Sequence, residues 1–291
     1  MGLLERINSC KIPDFRTYLP FKVDGKIVGY IKPWLAHELE SFPEIFKINS
    51  FFLSFNEKIK CYESRSLAIG EVVELLTKRG IISGWRGEKY KVASSHNAPS
   101  LFEIERAAVP IFGTIGCGVH MNGVSMRESG ICMWVGKRSR DKPTGPGKLD
   151  QMVAGGHPTG ISVRDNLIKE CAEEANIPYK ISNRAVPVGA ITYCFERPEG
   201  LRRDVLFVYD LYLPEDFIPQ NMDGEIEDFQ LMTMEQLIER VSTTDDFKFN
   251  CAMVVIDFLI RHGQIGPDQK DYLELISGLH GFRNPFFCNE K

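Results

Sequence analysis

Residues 155–177 read Gly-Gly-His-Pro-Thr-Gly-Ile-Ser-Val-Arg-Asp-Asn-Leu-Ile-Lys-Glu-Cys-Ala-Glu-Glu-Ala-Asn-Ile. Val163, Leu167, Cys171 and Ala175 recur at helical spacing and predict an apolar stripe that faces a core. Glu170, Glu173 and Glu174 crowd the other side. Like charges at i,i+4 cost a helix about 0.2–0.5 kcal/mol, and such a run is most often a solvated helix face. Here a glycine-rich turn leads into the helix and a core stripe backs it, which is how a rigid element presents a site. Hard divalent cations take oxygen ligands of this kind, and Mg2+ combines a few carboxylates with water and substrate phosphates.

The stretch resembles the Nudix box: Gly, five residues, Glu, seven residues, then Arg-Glu-apolar-Xaa-Glu-Glu-Xaa-Gly-apolar. Gly155 stands at the leading glycine, Glu170 to Glu174 at the Glu-apolar-Xaa-Glu-Glu core, and Ile177 at the closing apolar position. Three positions depart: Ile161 for the first Glu, Lys169 for the Arg and Asn176 for the second Gly. Asn tolerates the left-handed C-cap conformation almost as well as Gly does. Lys keeps the charge of Arg but not its planar fork. A wider resemblance, carried by 146–150, 153–156, 169–171, 185–190 and Asp223-Gly-Glu-Ile-Glu-Asp-Phe229, is to the Nudix branch related to fungal thiamine pyrophosphokinase fusions, whose members carry an extra N-terminal domain. It runs from about Phe15 to about Leu279.

That resemblance implies an α+β protein: a Nudix α/β/α sandwich with a mixed sheet over 113–291, preceded by a smaller N-terminal α/β module over 1–112. It implies Mg2+-dependent hydrolysis of a diphosphate linkage in a small molecule, with Mn2+ as an alternative ion. Glu173 and Glu174 would hold metal, Glu170 would orient or deprotonate water or act as a further ligand, and the Ala154 carbonyl would be a backbone ligand. Glu225 and Glu227 are the candidates for a distal carboxylate. Only one is expected to point inward, and Glu227 is favoured. The implied substrate is thiamine diphosphate or its damaged analogues, cleaved to the monophosphate. ADP-ribose or another nucleoside diphosphate derivative is the alternative, and a catalytically silent diphosphate-binding module the next. A prenyl diphosphate isomerase needs clustered histidines, which this sequence lacks.

Outside the box, Lys137 and Arg138 emerge from an expected strand (131–135) into a basic loop and are candidates to meet a phosphate. His120 and His157 lie near the expected cleft, although a lone His is more often structural. Phe195 could stack on a substrate ring; Trp134 reads as core. Gly145-Pro-Gly-Lys148 lacks the following Ser or Thr of a phosphate loop and leads into no helix. Gly113 to Gly123 alternates small and apolar residues and reads as a strand in close backbone contact.

In the first unit, Asp24-Gly25-Lys26 between 21–23 and 27–30 predicts a hairpin, followed by helices starting at Pro33 and spanning 66–79. Beyond the box, strands are expected at 186–192 and 205–213, and helices at 234–241 and 252–262.

A chain of 291 residues with net charge −4 gives no electrostatic reason for a nucleic-acid or anionic-membrane partner. It contains no apolar run of bilayer-spanning length. The opening Met-Gly-Leu-Leu-Glu-Arg lacks the basic and apolar regions of a secretory signal. The eight cysteines are dispersed without metal-ligand spacing. A cytoplasmic protein with reduced thiols is expected, acting on a small molecule, with a homodimer compatible with this reading.

Overall fold

Strands β1 (Leu19–Val23) and β2 (Lys26–Ile31) follow helix α1 (Leu3–Asn8) and meet at Asp24 and Gly25, which take φ of 52° and 77° in this computed structural model. Two consecutive left-handed residues make the turn whose twist matches a hairpin. The structure describes residues 2–10, 13–142 and 144–280. Helix α2 (Pro33–Leu39), strands β3 (Phe46–Ile48) and β4 (Leu53–Phe55) and helix α3 (Tyr62–Lys78) complete a four-stranded sheet of order β2-β1-β4-β3. Its core gathers Phe21, Phe46, Phe55, Phe102 and Phe112 around Ile69, Val72, Val73 and Leu76 of α3. That helix starts four residues before the expected Ser66, because Cys61 caps it with its sulfur accepting the Ser64 N–H at 3.4 Å. Strands β5 (Lys89–Val92) and β6 (Phe102–Glu105) form a separate antiparallel pair.

The second sheet contains β7 (Ile115–Arg127), β8 (Gly130–Arg138), β9 (Leu149–Gln151), β10 (Val153–Gly156), β11 (Val186–Glu196), β12 (Leu201–Tyr212) and β13 (Ile226–Thr233). Only β7 and β12 pair in parallel among its described ladders, so the sheet is mixed. Period-two alternation divides its side chains between two cores. Val135, Leu206, Val208 and Met232 pack with α6 (Met234–Thr243), α7 (Phe249–Arg261) and α8 (Tyr272–His280). Phe207, Tyr209, Leu211 and Trp134 pack on the other side with α4 (Val163–Ala175), which the short helix α5 (Tyr179–Ser182) follows. A sheet with helices on both faces is the α/β/α layering expected above.

Helix α1 does not pack with the N-terminal sheet. Leu3 and Ile7 enter the core of α7 and α8, and Arg6 donates to the Val241 carbonyl at 3.2 Å and pairs with Asp245 at 2.8 Å. This segment, which the division at residue 112 puts with the N-terminal unit, packs on the helices of the second unit. Six residues carry too little pattern to reveal which core they join. The seven described cysteines are free, and Cys288 lies outside the described residues. No helix among the described residues is long and apolar enough to cross a membrane.

Candidate active site

Leu167, Cys171 and Ala175 are fully buried beneath α4, against Val119 and Met121. Burying that stripe fixes the helix's rotation and leaves Glu170 and Glu174 beside β10. Ser162 caps the helix start by accepting the Asp165 N–H at 3.0 Å, and Asn176 ends it in the left-handed conformation (φ 53°). Glu174 is 4% exposed and accepts the Ala154 N–H at 2.7 Å. Glu170 lies against Gly155, where an added Cβ would fall 2.2 Å from its Cδ. A larger residue there fits only if the Glu170 carboxylate swings aside. Gly155→Ala is expected to displace Glu170 and to lower kcat/KM on the order of 10²-fold, the scale of an ångström's misplacement. Steady-state kinetics beside a melting curve would check this.

Lys169 donates to Glu173 at 2.7 Å and to Glu170 at 3.3 Å. One ammonium therefore tethers both carboxylates, although it lacks the planar fork of Arg. Glu173 remains about half exposed. Burial raises the pKa of Glu170, and burial raises that of Glu174 well above the usual carboxylate range, with Glu170, Asp150 and Glu225 adding to the effect.

Asp223 and Glu225 reach this helix from the turn before β13. One carboxylate oxygen from each of Glu174, Asp223 and Glu225 lies within 4.8 Å of the others. Glu227 does not join them: it ion-pairs with Lys137 at 3.1 Å and accepts the Arg140 N–H at 3.4 Å. Two residues apart in an unbroken strand would share a face. Glu225 precedes β13, and a bulge between Ile226 and Asp228 re-aims the chain, so the preference for Glu227 is corrected in favour of Glu225. Glu225 also pairs with Lys142. The sequence reading missed Asp223 as a site residue. Its signal was present in Asp-Gly-Glu, where Gly224 at φ 82° lets two acids flank a tight turn.

An all-oxygen set built around a buried, destabilised carboxylate fits a hard divalent cation. His120, Asp150 and Cys251 also converge within 4.8 Å, but that set does not fit one. Arg138 at 2.5 Å and Lys248 at 3.4 Å already compensate Asp150, and both would repel a further cation.

Two cavities open at the seam between the N-terminal unit and the second sheet. The smaller, about 110 Å³, runs along Ala154, Gly155 and Gly156 and is lined by Arg106, Arg202 and Lys248 among others. The larger, about 370 Å³, lies between β5, the 93–97 segment, Ile115 and Val205 and the 157–163 loop. Tyr90 and Cys117 line both and divide them.

Several sequence candidates are placed differently from expectation. Arg138 is buried, donating to Asp150 and to the Thr144 carbonyl at 3.0 Å, so it holds strands together and does not face a phosphate. Lys137 stays within β8, tied to Glu227. Phe195 is engaged by Tyr193 and Phe249, with ring centroids 5.9 and 5.1 Å away, and lines neither cavity. His120 does line the smaller cavity. Its Nδ1 donates to the Gln151 Oε1 at 2.7 Å, since an amide oxygen only accepts, and burial lowers its pKa to about 4. His157 lines the larger cavity with Nε2 2.9 Å from the Ile161 carbonyl.

Residues 120–251 match the NUDIX domain, and residues 2–115 match a domain of unknown function, DUF4743. The chain is 44% identical over 289 residues to Nudix hydrolase 20, chloroplastic, of Arabidopsis thaliana, spanning 96% of this chain and 77% of that protein. It is 43% identical over 278 residues to Nudix hydrolase 24, chloroplastic, of the same plant, spanning 94% and 76%. The crystal structure of DR0079 from Deinococcus radiodurans aligns with a TM-score of 0.45 and 20% identity, covering 58% of this chain and 97% of that one. With these relatives across nearly its whole length, the chain belongs to the Nudix hydrolase family, enzymes that act on pyrophosphate bonds.

Proposed function

We propose that this enzyme hydrolyses the diphosphate linkage of a small organic diphosphate, using Mg2+ (or Mn2+) held by Glu174 with Asp223 and Glu225, and with Glu173 and the Ala154 carbonyl as the further ligands the box implies. The observation that carries this reading is the convergence of buried Glu174 with two acids from a distant turn. Lys142 pairs with Glu225 at one edge of the set, and each member is acceptor-only when ionised, so the remaining oxygens suit a hard cation. When bound, the ion supplies positive charge against the diphosphate and acidifies water. Glu170 is the base: it is 14% exposed, set against Gly155, and its raised pKa suits proton uptake. It takes one proton from the attacking water as that water's oxygen bonds to phosphorus. The bridging P–O bond breaks, and the products are the organic monophosphate and a second phosphate.

The larger cavity would hold the organic half. Among the described residues that line it there is no Asp or Glu, while Lys91 is present. Burial lowers the pKa of both His96 and His157, so they are neutral near pH 7. A cationic ring would enter without a counter-charge. Among thiamine-diphosphate-like compounds this favours damaged, oxidised forms whose ring is uncharged over the thiazolium itself.

The test is Mg2+-dependent product release from thiamine diphosphate, an oxidised uncharged analogue, ADP-ribose, NADH and a prenyl diphosphate. The expected ranking puts the uncharged analogue first, by about tenfold or more in kcat/KM over thiamine diphosphate, as one uncompensated charge is worth. A higher kcat/KM for ADP-ribose would move the reading to nucleoside diphosphate derivatives. Tight binding without turnover of any compound would move it to a silent binding module.

A further inference from the structure

The N-terminal unit does more than wall off this cleft. Its strand β5 is fixed to the box loop by the Thr159 N–H, which donates to the Lys89 carbonyl at 2.8 Å. From that anchored strand and the turn after β6, Tyr90 and Arg106 lean onto the second box glycine. A Cβ added to Gly156 would lie 1.9 Å from the Tyr90 hydroxyl and 2.9 Å from the Arg106 Cζ. Among the described residues lining the smaller cavity, Arg106 is the one Arg or Lys contributed by the N-terminal unit, and Glu170 is among the charges that act on it.

The three cations there are not equally committed. Arg202 directs both Nε and Nη2 at Asp204, at 3.1 and 3.0 Å. Lys248 faces buried Asp150, which it helps to neutralise. Among the described residues the Arg106 side chain makes one hydrogen bond, from Nη1 to Glu88 at 2.9 Å; its Cζ lies 5.8 Å from the Tyr90 ring centroid, and the side chain is 39% exposed. Glu88 steadies the guanidinium while leaving the other donors of its fork for an incoming group. A planar fork with spare donors beside a glycine-lined backbone is suited to bidentate phosphate binding.

We propose that Arg106 is a substrate ligand of the hydrolase, gripping the diphosphate over Gly155 and Gly156, with Tyr90 standing between the phosphate pocket and the pocket of the organic half. This rests on the reading that the seam is the site of a diphosphate hydrolase. It makes the N-terminal unit part of the catalytic pocket, and it assigns to that unit the part of the substrate every diphosphate shares. Loss of Arg106 therefore weakens all diphosphate substrates alike, whatever their organic half.

The experiment compares wild type with Arg106→Ala and Arg106→Lys in the full chain. It reads KM and kcat for two diphosphates with unlike organic halves, and calorimetric binding of inorganic pyrophosphate with Mg2+ present. A hydrogen-bonded charge contributes about 10- to 100-fold. Arg106→Ala is expected to raise KM by that factor for both substrates and to weaken pyrophosphate equally, with an unchanged melting temperature. Arg106→Lys should recover part of the loss, and millimolar guanidinium should partly rescue Arg106→Ala, which a merely structural role would not allow. KM and pyrophosphate affinity within twofold of wild type would overturn the proposal, as would a loss accompanied by a lowered melting temperature and no rescue. Were wild type to turn over no diphosphate while Arg106→Ala still weakened pyrophosphate, the hydrolase reading would fall and the ligand assignment would stand.

Discussion

Glu174→Gln is expected to lower kcat by about 10²- to 10⁴-fold and, at the same time, to make the metal-free protein more stable. The first effect follows from losing a negative ligand at the cation site, where several kcal/mol of transition-state stabilisation are at stake and each 1.4 kcal/mol is tenfold. The second follows from burial. The folded-state pKa of Glu174 is raised well above its ordinary value, so ionising it costs the folded state. The stability associated with its protonated form is fully present below about pH 4.3, the ordinary Glu value, and is lost as pH rises through the raised folded value. Gln removes that loss while its side-chain oxygen still accepts the Ala154 N–H. The gain in melting temperature is expected to be about 3 °C or more at pH 8, and to vanish near pH 4, in the presence of a chelator. A variant that loses activity and stability together would instead identify Glu174 as a structural acid.

Asp150→Ala is expected to destabilise the protein by about 3–5 kcal/mol, because it strands two buried or half-buried cations. Asp150 is 1% exposed and receives Arg138 at 2.5 Å, Lys248 at 3.4 Å and the Cys251 thiol at 2.6 Å. Two cations hold its pKa well below the ordinary value despite burial. Its contribution is therefore present above the ordinary Asp pKa and is lost in strong acid. Urea denaturation at pH 7 measures the loss. Arg138→Met should also lower stability, by less, and leave KM unchanged. A raised KM with wild-type stability would restore Arg138 to the phosphate-binding role its sequence position suggested.

That contrast explains which parts of the molecule could be read from sequence. The hairpin at Asp24-Gly25, the helix over the box and its Asn176 cap were legible because each depends on local chemistry: left-handed turn residues, a 3.6-residue stripe, a tolerated αL residue. The fold class was legible because the box carries it. Which of Glu225 and Glu227 approaches Glu174 was not, since a bulge at Ile226 and Asp228 sets which acid turns inward, and bulges leave little trace in residue type. Arg138 misled for a related reason. A basic residue at a strand end looks the same whether it meets solvent, a phosphate or a buried Asp from a neighbouring strand. Arg106 could not have been singled out, because its place beside Gly156 depends on how two separate sheets dock.

The most direct measurement of the cation site is a Mn2+ titration followed by EPR, on wild type, Glu174→Gln and Asp223→Asn. Mn2+ binding in the wild type that is weakened at least tenfold in both variants, and displaced by Mg2+, is the predicted result. Wild-type Mn2+ affinity in Glu174→Gln would contradict the account, because it would put the ion somewhere other than the junction of α4 with the Asp223–Glu225 turn.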